Sequence, residues 1–247
     1  MNKSVSSSQQ TVNEKVMIWR YLDFTKFISL LDKQALFFTR ADKLLDQFEG
    51  SWTKANLERL SASFKDYVKG GEKILDFLRK IRKYTIVNCW HWNEYESAAM
   101  WELYIKSDAG IAIQSTFDSL IKELGKNEVQ GVMNIHDVKY IDFESFSMPE
   151  GDLIAPFFHK RKSFAHEQEI RAVIQQLPIN KLGQIDWTIK PHDSGIYIPV
   201  DLNILIKNIL VSPTAPQWFM DLVGAVVKKY NLDKPVKQSS LADPSLL

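Results

Sequence analysis

Residues 160–174 form the part of this chain whose side chains are best suited to chemistry, with three cations, a histidine, two carboxylates and an arginine beside a short apolar run. Glu169 and Arg171 alternate with Ile170 and Ala172, which predicts the first half of a β-strand. The strand is apolar enough to be central in a sheet. We therefore expect its charged side chains to face a cleft, where acid, base and cation would meet as an active site requires.

Two glutamates in this segment could act as a pair. Glu167 and Glu169 are two residues apart, so both would lie on one side of an extended chain, together with Arg171. Two neighbouring carboxylates raise the pKa of one of them unless a cation lies between them. Lys160 and Lys162 are expected to approach from a preceding helix and could neutralise phosphates. The structural alternative is a solvated strand end with a ladder of Glu–Arg pairs.

Arg20 is the second candidate, because it ends an apolar run over residues 16–21. An arginine in this position can present its planar fork to a phosphate or a carboxylate, with Tyr21 stacking beside the ligand. The alternative is an arginine on an edge strand that forms a surface salt bridge.

Asp46 and Glu49 are three residues apart and share one face if residues 46–50 form a helical turn. They could bind a metal, hold Arg20 or bind a ribose hydroxyl. The alternative is a solvated turn closed by Gly50.

An aromatic cluster includes Trp90, Trp101 and Tyr104. Aromatic walls with a few polar tips suit a planar base or a nicotinamide ring. Core packing is the alternative explanation. Cys89 lies in the same apolar strand as Trp90 and is expected to be unreactive.

Composition limits the class of protein. The 247 residues are 45% hydrophobic and 25% charged, with a formal net charge of +1, which is ordinary for a globular domain. This charge does not indicate nucleic acid or membrane as a partner, although nucleic acid stays possible. Cys89 is the single cysteine, which excludes an internal disulfide and fits a cytoplasmic protein. The sequence has no run of about 20 apolar residues that could span a membrane.

The predicted fold is α+β, with a mixed, mostly antiparallel sheet core, flanking helices and an inserted helical hairpin. Residues 1–15 are predicted to be a disordered lead-in, residues 16–240 a single domain, and residues 241–247 a tail. The predicted strands are 16–21, 35–39, 85–90, 110–115, 129–141 (a strand or a hairpin arm), 169–174, 195–200 and 208–211. The predicted helices are one capped by Asp23, the insertion 51–83 broken at Gly70 and Gly71, 96–104, 117–124, 154–165 and 216–230.

These segments together resemble the bacterial domain of unknown function family 2971, and the resemblance runs from about residue 16 to residue 240. It implies no settled activity. The segments that carry it are Trp19-Arg20-Tyr21, Asp46 with Glu49-Gly50, Met100-Trp101-Glu102-Leu103-Tyr104 followed by Gly110, Val138-Lys139-Tyr140, and Lys162 with Phe164 and Glu167-Gln168-Glu169-Ile170-Arg171.

The order of elements more loosely resembles the ADP-ribosyltransferase superfamily: a strand with an arginine, a helix, a second strand, and a late strand opened by Glu-x-Glu. The resemblance implies that Arg20 binds NAD, that Glu169 is the catalytic acid and that Glu167 orients the acceptor. A carboxylate near developing positive charge stabilises it electrostatically. The leading hypothesis is thus an ADP-ribosyltransferase-like enzyme that uses NAD, without a metal, to modify a macromolecular acceptor, with a bacterial defence or toxin system as its setting.

Two other functions stay open. One is a non-catalytic domain that senses a nucleotide or a phosphorylated ligand. The other is a metal-dependent nuclease that uses the carboxylates Asp46, Glu49, Glu167 and Glu169. The candidate ligand-binding residues are Tyr21, Asp46, Glu49, Trp90, Trp101, Tyr104, Lys160, Lys162, His166 and Arg171. The enzyme hypothesis requires that Arg20 and Glu169 lie on adjacent strands and face one pocket with Tyr104 or Trp101, and it fails if they point to opposite faces of the sheet.

Overall fold

The fold is a large mixed sheet with helices on both faces. In a computed structural model of the protein, residues 16–63, 70–149 and 151–245 are described, so the predicted lead-in 1–15 lies outside them. The strands are β1 Met17–Asp23, β2 Ala35–Arg40, β3 Thr85–Trp92, β4 Gly110–Thr116, β5 Val132–Asp137, β6 Lys139–Ile141, β7 His159–Arg161, β8 Glu169–Gln175, β9 Gly195–Pro199, β10 Asn208–Val211 and β11 Val236–Gln238. The α-helices are α1 Phe24–Lys33, α2 Lys54–Ser63, α3 Gly70–Ile81, α4 Ala98–Tyr104, α5 Phe117–Leu124, α6 Leu202–Leu205 and α7 Gln217–Lys229.

Nine strands of the described part of the chain form one sheet, in the order β11, β10, β4, β1, β3, β2 and β9, with β8 paired to β3 and β5 paired to β8. The pair β10–β11 is parallel and the other pairs of this sheet are antiparallel. β6 and β7 form a separate parallel pair. The predicted α+β fold with a mixed, mostly antiparallel sheet and flanking helices is confirmed.

The turn from β1 into α1 follows from local sequence. The Asp23 carboxylate accepts a hydrogen bond from the backbone N–H of Lys26 at 2.8 Å and caps the helix, as predicted. Phe27, Leu30 and Leu31 recur at helical spacing and are buried against the sheet. The cap and the apolar face together fix α1 between β1 and β2.

The two faces of the sheet are covered by different helices. Buried side chains of α1, α5, α6 and α7 pack on the face that carries Ile18, Trp90 and Ile170. α4 packs on the opposite face, where its buried residues contact Trp19 and Tyr21. Of the described helices, only α4 packs its buried residues against Trp19 and Tyr21 on this face.

The predicted helix over residues 154–165 is wrong. This segment contains a 3₁₀ turn at Ala155–Phe158, then β7, then a second 3₁₀ turn at Lys162–Glu167. β7 pairs with β6, and Lys160 within it is buried among carboxylates. Tertiary pairing thus overrides the local helical pattern.

The helical insertion between β2 and β3 is present as α2 and α3. α3 begins at Gly70, and the connection over 64–69 lies outside the described residues. β11 and α6 were not predicted. No helix in the described ranges combines the length and the apolar character that a membrane span needs.

Candidate functional site

β1 and β2 diverge from the same edge of β3 and leave an opening in the sheet. β1 pairs with the end of β3, at Trp19 and His91, whereas β2 pairs with its first half, at Thr39 and Val87. The segment 88–90 of β3 has no registered partner on this edge in the described structure and pairs only with β8. The divergence makes a split between β1 and β2.

A cavity of about 500 Å³ lies at this split. A volume of this size is typical of a small-molecule site. Aromatic side chains form much of its wall, and a few ionisable groups lie among them. The aromatic residues that border it are Trp19, Tyr21, Phe37, Trp90, Tyr104 and Tyr197, and the other titratable ones are Arg20, Lys26, Cys89, His91, Glu167 and Glu169.

Arg20 crosses the split from β1 towards β2. Its Nη2 atom lies 3.4 Å from the backbone oxygen of Phe37, and its guanidinium carbon lies 5.9 Å from the centre of the Trp90 ring. Its Nη1 atom is buried and has no hydrogen-bond partner among the described residues. Burial lowers the pKa of Arg20 to about 10, and Cys89 opposes this only weakly. Arg20 is thus a cation that the described protein leaves without a counter-ion.

The thiol of Cys89 does not supply that counter-ion. Burial raises the pKa of Cys89, and the charge of Glu169 raises it further, so the thiol is neutral near pH 7. The expectation that Cys89 is unreactive stays a prediction with this physical basis.

A buried charge cluster lies beside the cavity and consists of Glu49, Lys160, Glu167, Glu169 and Arg171. Each of the five residues is at most 7% exposed. Arg171 donates to both oxygens of Glu49, at 2.6 and 2.7 Å, and its Nε donates to Glu169 at 2.6 Å. Lys160 donates to Glu167 and, at 2.7 Å, to Glu169. Three carboxylates therefore share two cations.

The pKa values within the cluster diverge. Burial is the largest single influence and would raise the pKa of Glu169, but the charge and hydrogen bond of Arg171, the hydrogen bond with Glu167 and the charge of Lys160 together hold that pKa well below its ordinary range. Burial raises the pKa of Glu167 to about 8, reinforced by its hydrogen bond with Glu169 and opposed by Lys160. Near pH 7 the cluster is therefore close to neutral, because Glu167 carries a proton while the other two carboxylates balance the two cations.

The turn at residues 46–50 holds one end of this cluster. Gly50 has a φ of 65°, and a Cβ atom there would lie 2.3 Å from the Phe157 ring. Only glycine fits this position. The turn directs Glu49 to Arg171, whereas Asp46 pairs with Arg161 at 2.8 Å. A turn closed by Gly50 is present, but the alternative of a solvated turn is wrong, because the side chains of Glu49 and Asp46 are buried in ion pairs.

The structure brings several predicted site residues to one cavity. Arg20, Tyr21, Trp90, Tyr104, Glu167 and Glu169 all border it. Tyr104 is half-exposed at the rim, and Trp90 is fully buried with its N–H donating to Asn88 at 2.7 Å.

Other predicted ligand-binding residues are placed elsewhere. Trp101 is a core residue that packs edge-on against Tyr21 at 5.0 Å and donates to Glu96 at 3.0 Å. Glu49, Lys160 and Arg171 belong to the buried cluster, and Asp46 to its ion pair with Arg161. Lys162 and His166 are exposed. None of these seven residues is among the described residues that border the cavity.

The predicted geometry of the Glu-x-Glu pair also needs correction. Glu167 belongs to a 3₁₀ turn rather than to the strand, and Gln168 with its φ of 40° separates it from β8. Both carboxylates still converge, because each accepts a hydrogen bond from Lys160. Lys160 reaches them from β7 and not from a helix.

Arg20 and Glu169 do not meet the spatial condition of the enzyme hypothesis, because they lie on non-adjacent strands and point to opposite faces of the sheet. Trp19 pairs with His91, which in turn pairs with Glu169, so these three side chains share one face of the sheet. Arg20 follows Trp19 and points to the other face. β1 and β8 are also separated by β3. Arg20 and Glu169 nevertheless border one cavity with Tyr104, because the cavity lies at the split.

His91, Phe37 and Tyr197 border the cavity but were not predicted as site residues. Alternation along β3 places His91 on the face of Cys89, but no local signal indicates the split. Among the described residues, no group of three or more His, Cys, Asp or Glu is placed to hold a metal ion.

A scan against models of protein families, a search of curated proteins and a search of solved structures each returned no match. The resemblance to the domain of unknown function family 2971 and to the ADP-ribosyltransferases stays a prediction.

Proposed function

We propose that the protein binds a nucleotide-type ligand in the cavity between β1 and β2. The observation that carries this proposal is Arg20, a partly buried guanidinium at an aromatic cavity, whose buried Nη1 atom has no partner among the described residues. A buried cation without a counter-ion is unfavourable, and an anionic ligand group would supply the missing partner.

The aromatic walls of the cavity also fit a flat ring on the same ligand as the anionic group. Tyr104 and Tyr197, which are both exposed, supply aromatic surface on which a planar ring can pack, and Tyr21 and Trp90 are buried residues of the same wall. A ligand that combines a flat ring with an anionic group matches this combination. AMP and NAD both have these features.

The test is isothermal titration of the protein with AMP and with NAD. Wild-type protein is expected to bind at least one of them, and Arg20→Met is expected to weaken binding about tenfold or more, because a charge-assisted hydrogen bond contributes about 1.5–3 kcal/mol. Arg79→Met is the matched control, because Arg79 is exposed on α3 and does not border the cavity. Equal affinity of the wild type and Arg20→Met would contradict the proposal.

ADP-ribosyl transfer from NAD is the second and weaker candidate. Its support is that Glu167 and Glu169 border the same cavity as Arg20, although Arg20 and Glu169 point to opposite faces of the sheet. In this reaction the bond between nicotinamide and ribose C1′ breaks, a nucleophile of the acceptor bonds to C1′ and loses its proton, and nicotinamide leaves. Binding is preferred as the primary function because Glu169 is already engaged by Lys160 and Arg171.

Release of nicotinamide from labelled NAD in the presence of cell lysate tests this candidate. Transfer predicts release by the wild type and loss of release in Glu167→Gln and Glu169→Gln, with NAD affinity retained. NAD binding without any release would leave binding as the function and remove transfer.

A further inference from the structure

His91 borders the cavity and has a ring nitrogen, Nε2, that forms no hydrogen bond with the described residues. The side chain is 4% exposed, and it borders the cavity from β3. Its Nδ1 atom lies 2.7 Å from the backbone oxygen of Glu167. A carbonyl oxygen only accepts hydrogen bonds, so Nδ1 must carry the hydrogen.

The other ring nitrogen is then fixed as an acceptor. Burial lowers the pKa of His91, against the opposing influence of its hydrogen bond to Glu167 and the charge of Glu169, so the ring is neutral near pH 7. A neutral ring with its hydrogen on Nδ1 has a lone pair on Nε2. Nε2 is buried and has no partner among the described residues. An unpaired buried acceptor is unfavourable, and a donor on a ligand would satisfy it.

The surroundings of His91 indicate what kind of donor fits. Its ring lies 6.3 Å from the ring of Tyr21, and its cross-strand neighbour Trp19 borders the same cavity. Tyr104 stands half-exposed at the rim. A donor that approaches between aromatic side chains is best carried by a flat ring, and an amino group on that ring supplies the hydrogen.

We infer that His91 is a specificity-determining residue that accepts a hydrogen bond from a ring-bound amino group, as in adenine, and rejects a ring that carries a carbonyl oxygen at that position. This inference rests on the proposed nucleotide-binding function. It adds to that function by stating which ring His91 recognises, whereas Arg20 binds only the anionic group of the ligand.

The test compares AMP with inosine 5′-monophosphate, in which the amino group of the ring is replaced by a carbonyl oxygen. Titration calorimetry of the wild type is expected to give about tenfold tighter binding of AMP, since a mismatched polar group leaves a buried acceptor unpaired. His91→Phe is expected to lose this preference, because the substitution should weaken the binding of AMP but not the binding of the inosine nucleotide.

His91→Gln is the second variant, chosen because its amide can hydrogen-bond to Glu167 and keep the strand in place. A glutamine amide can either donate or accept, so the preference for AMP is expected to shrink. Equal affinity of the wild type for both nucleotides, an equal loss for both in His91→Phe, or an unchanged preference in His91→Gln would overturn the inference while nucleotide binding stands. If neither nucleotide and no NAD binds, the proposed function fails and the inference fails with it.

Discussion

Replacing Arg20 by methionine is expected to stabilise the ligand-free protein. Burial lowers the pKa of Arg20 from its ordinary value of 12.5 to about 10. Each pKa unit corresponds to about 1.4 kcal/mol, so the charged form costs roughly 3 kcal/mol in the folded state. Because the pKa is lowered, this cost is fully present below pH 10 and disappears only as the pH rises towards 12.5. An experiment at pH 7 therefore measures all of it.

The interactions that Arg20 makes offset part of this cost. Its hydrogen bond to the Phe37 oxygen is long, at 3.4 Å, and losing it costs about 1 kcal/mol. Asn88 also donates to that oxygen, at 2.9 Å, so the oxygen stays paired in the variant. Methionine can pack against Trp90 in place of the guanidinium stem. The expected net gain is about 2 kcal/mol, which corresponds to a rise in melting temperature of about 4–8 °C for a chain of this length.

Thermal unfolding followed by circular dichroism at pH 7, without ligand, measures this change. Arg79→Met is the control and is expected to shift stability by less than about 0.5 kcal/mol, as for most surface substitutions. A variant that is less stable than the wild type by 1 kcal/mol or more would show that Arg20 is a structural residue and would refute the reasoning.

Three further predictions concern the cluster and the cysteine. Arg171→Met is expected to lose about 3–5 kcal/mol in urea unfolding, because Glu49 and Glu169 are left buried with too little positive charge; an unchanged midpoint would contradict this. The pKa of Glu167 is raised to about 8 in the folded state, so the stability that Glu167 contributes is lost as the pH rises from about 4.5 to 8, and the difference in melting temperature between the wild type and Glu167→Gln should shrink over that range. The raised pKa of Cys89 predicts that its thiol reacts far more slowly with a thiol reagent in the native protein than in urea, and equal rates would refute it.

Local sequence is sufficient for much of the secondary structure. Strand β10 and helix α5 have the predicted bounds, because an apolar run and a capped amphipathic segment are local signals. The cap at Asp23 was likewise readable from its residue type.

The arrangement of the charged residues could not be read from local pattern. The alternation of Glu169 and Arg171 suggests a cleft, yet Arg171 is buried against Glu49, which lies 122 residues earlier in the chain. Lys160 meets its carboxylates because β7 pairs with β6, which the helical pattern of that segment concealed. Such pairings depend on tertiary contacts between distant segments.

The sequence predicted one part of the site, Arg20, and missed another, His91. Arg20 was expected to bind an anion from its place at the end of an apolar run, and it does border the cavity. Its Nη1 atom has no partner among the described residues where β1 and β2 diverge from β3, and no local signal in β1 predicts that divergence. His91 was missed for the same reason, since its free acceptor matters only because the split brings a cavity to it.

A crystal structure of the protein with AMP tests the central claim most directly. The claim predicts the phosphate within hydrogen-bonding distance of the Arg20 guanidinium and the adenine ring in the cavity between β1 and β2. AMP bound elsewhere on the protein, or bound in the cavity with no contact between its phosphate and Arg20, would contradict it.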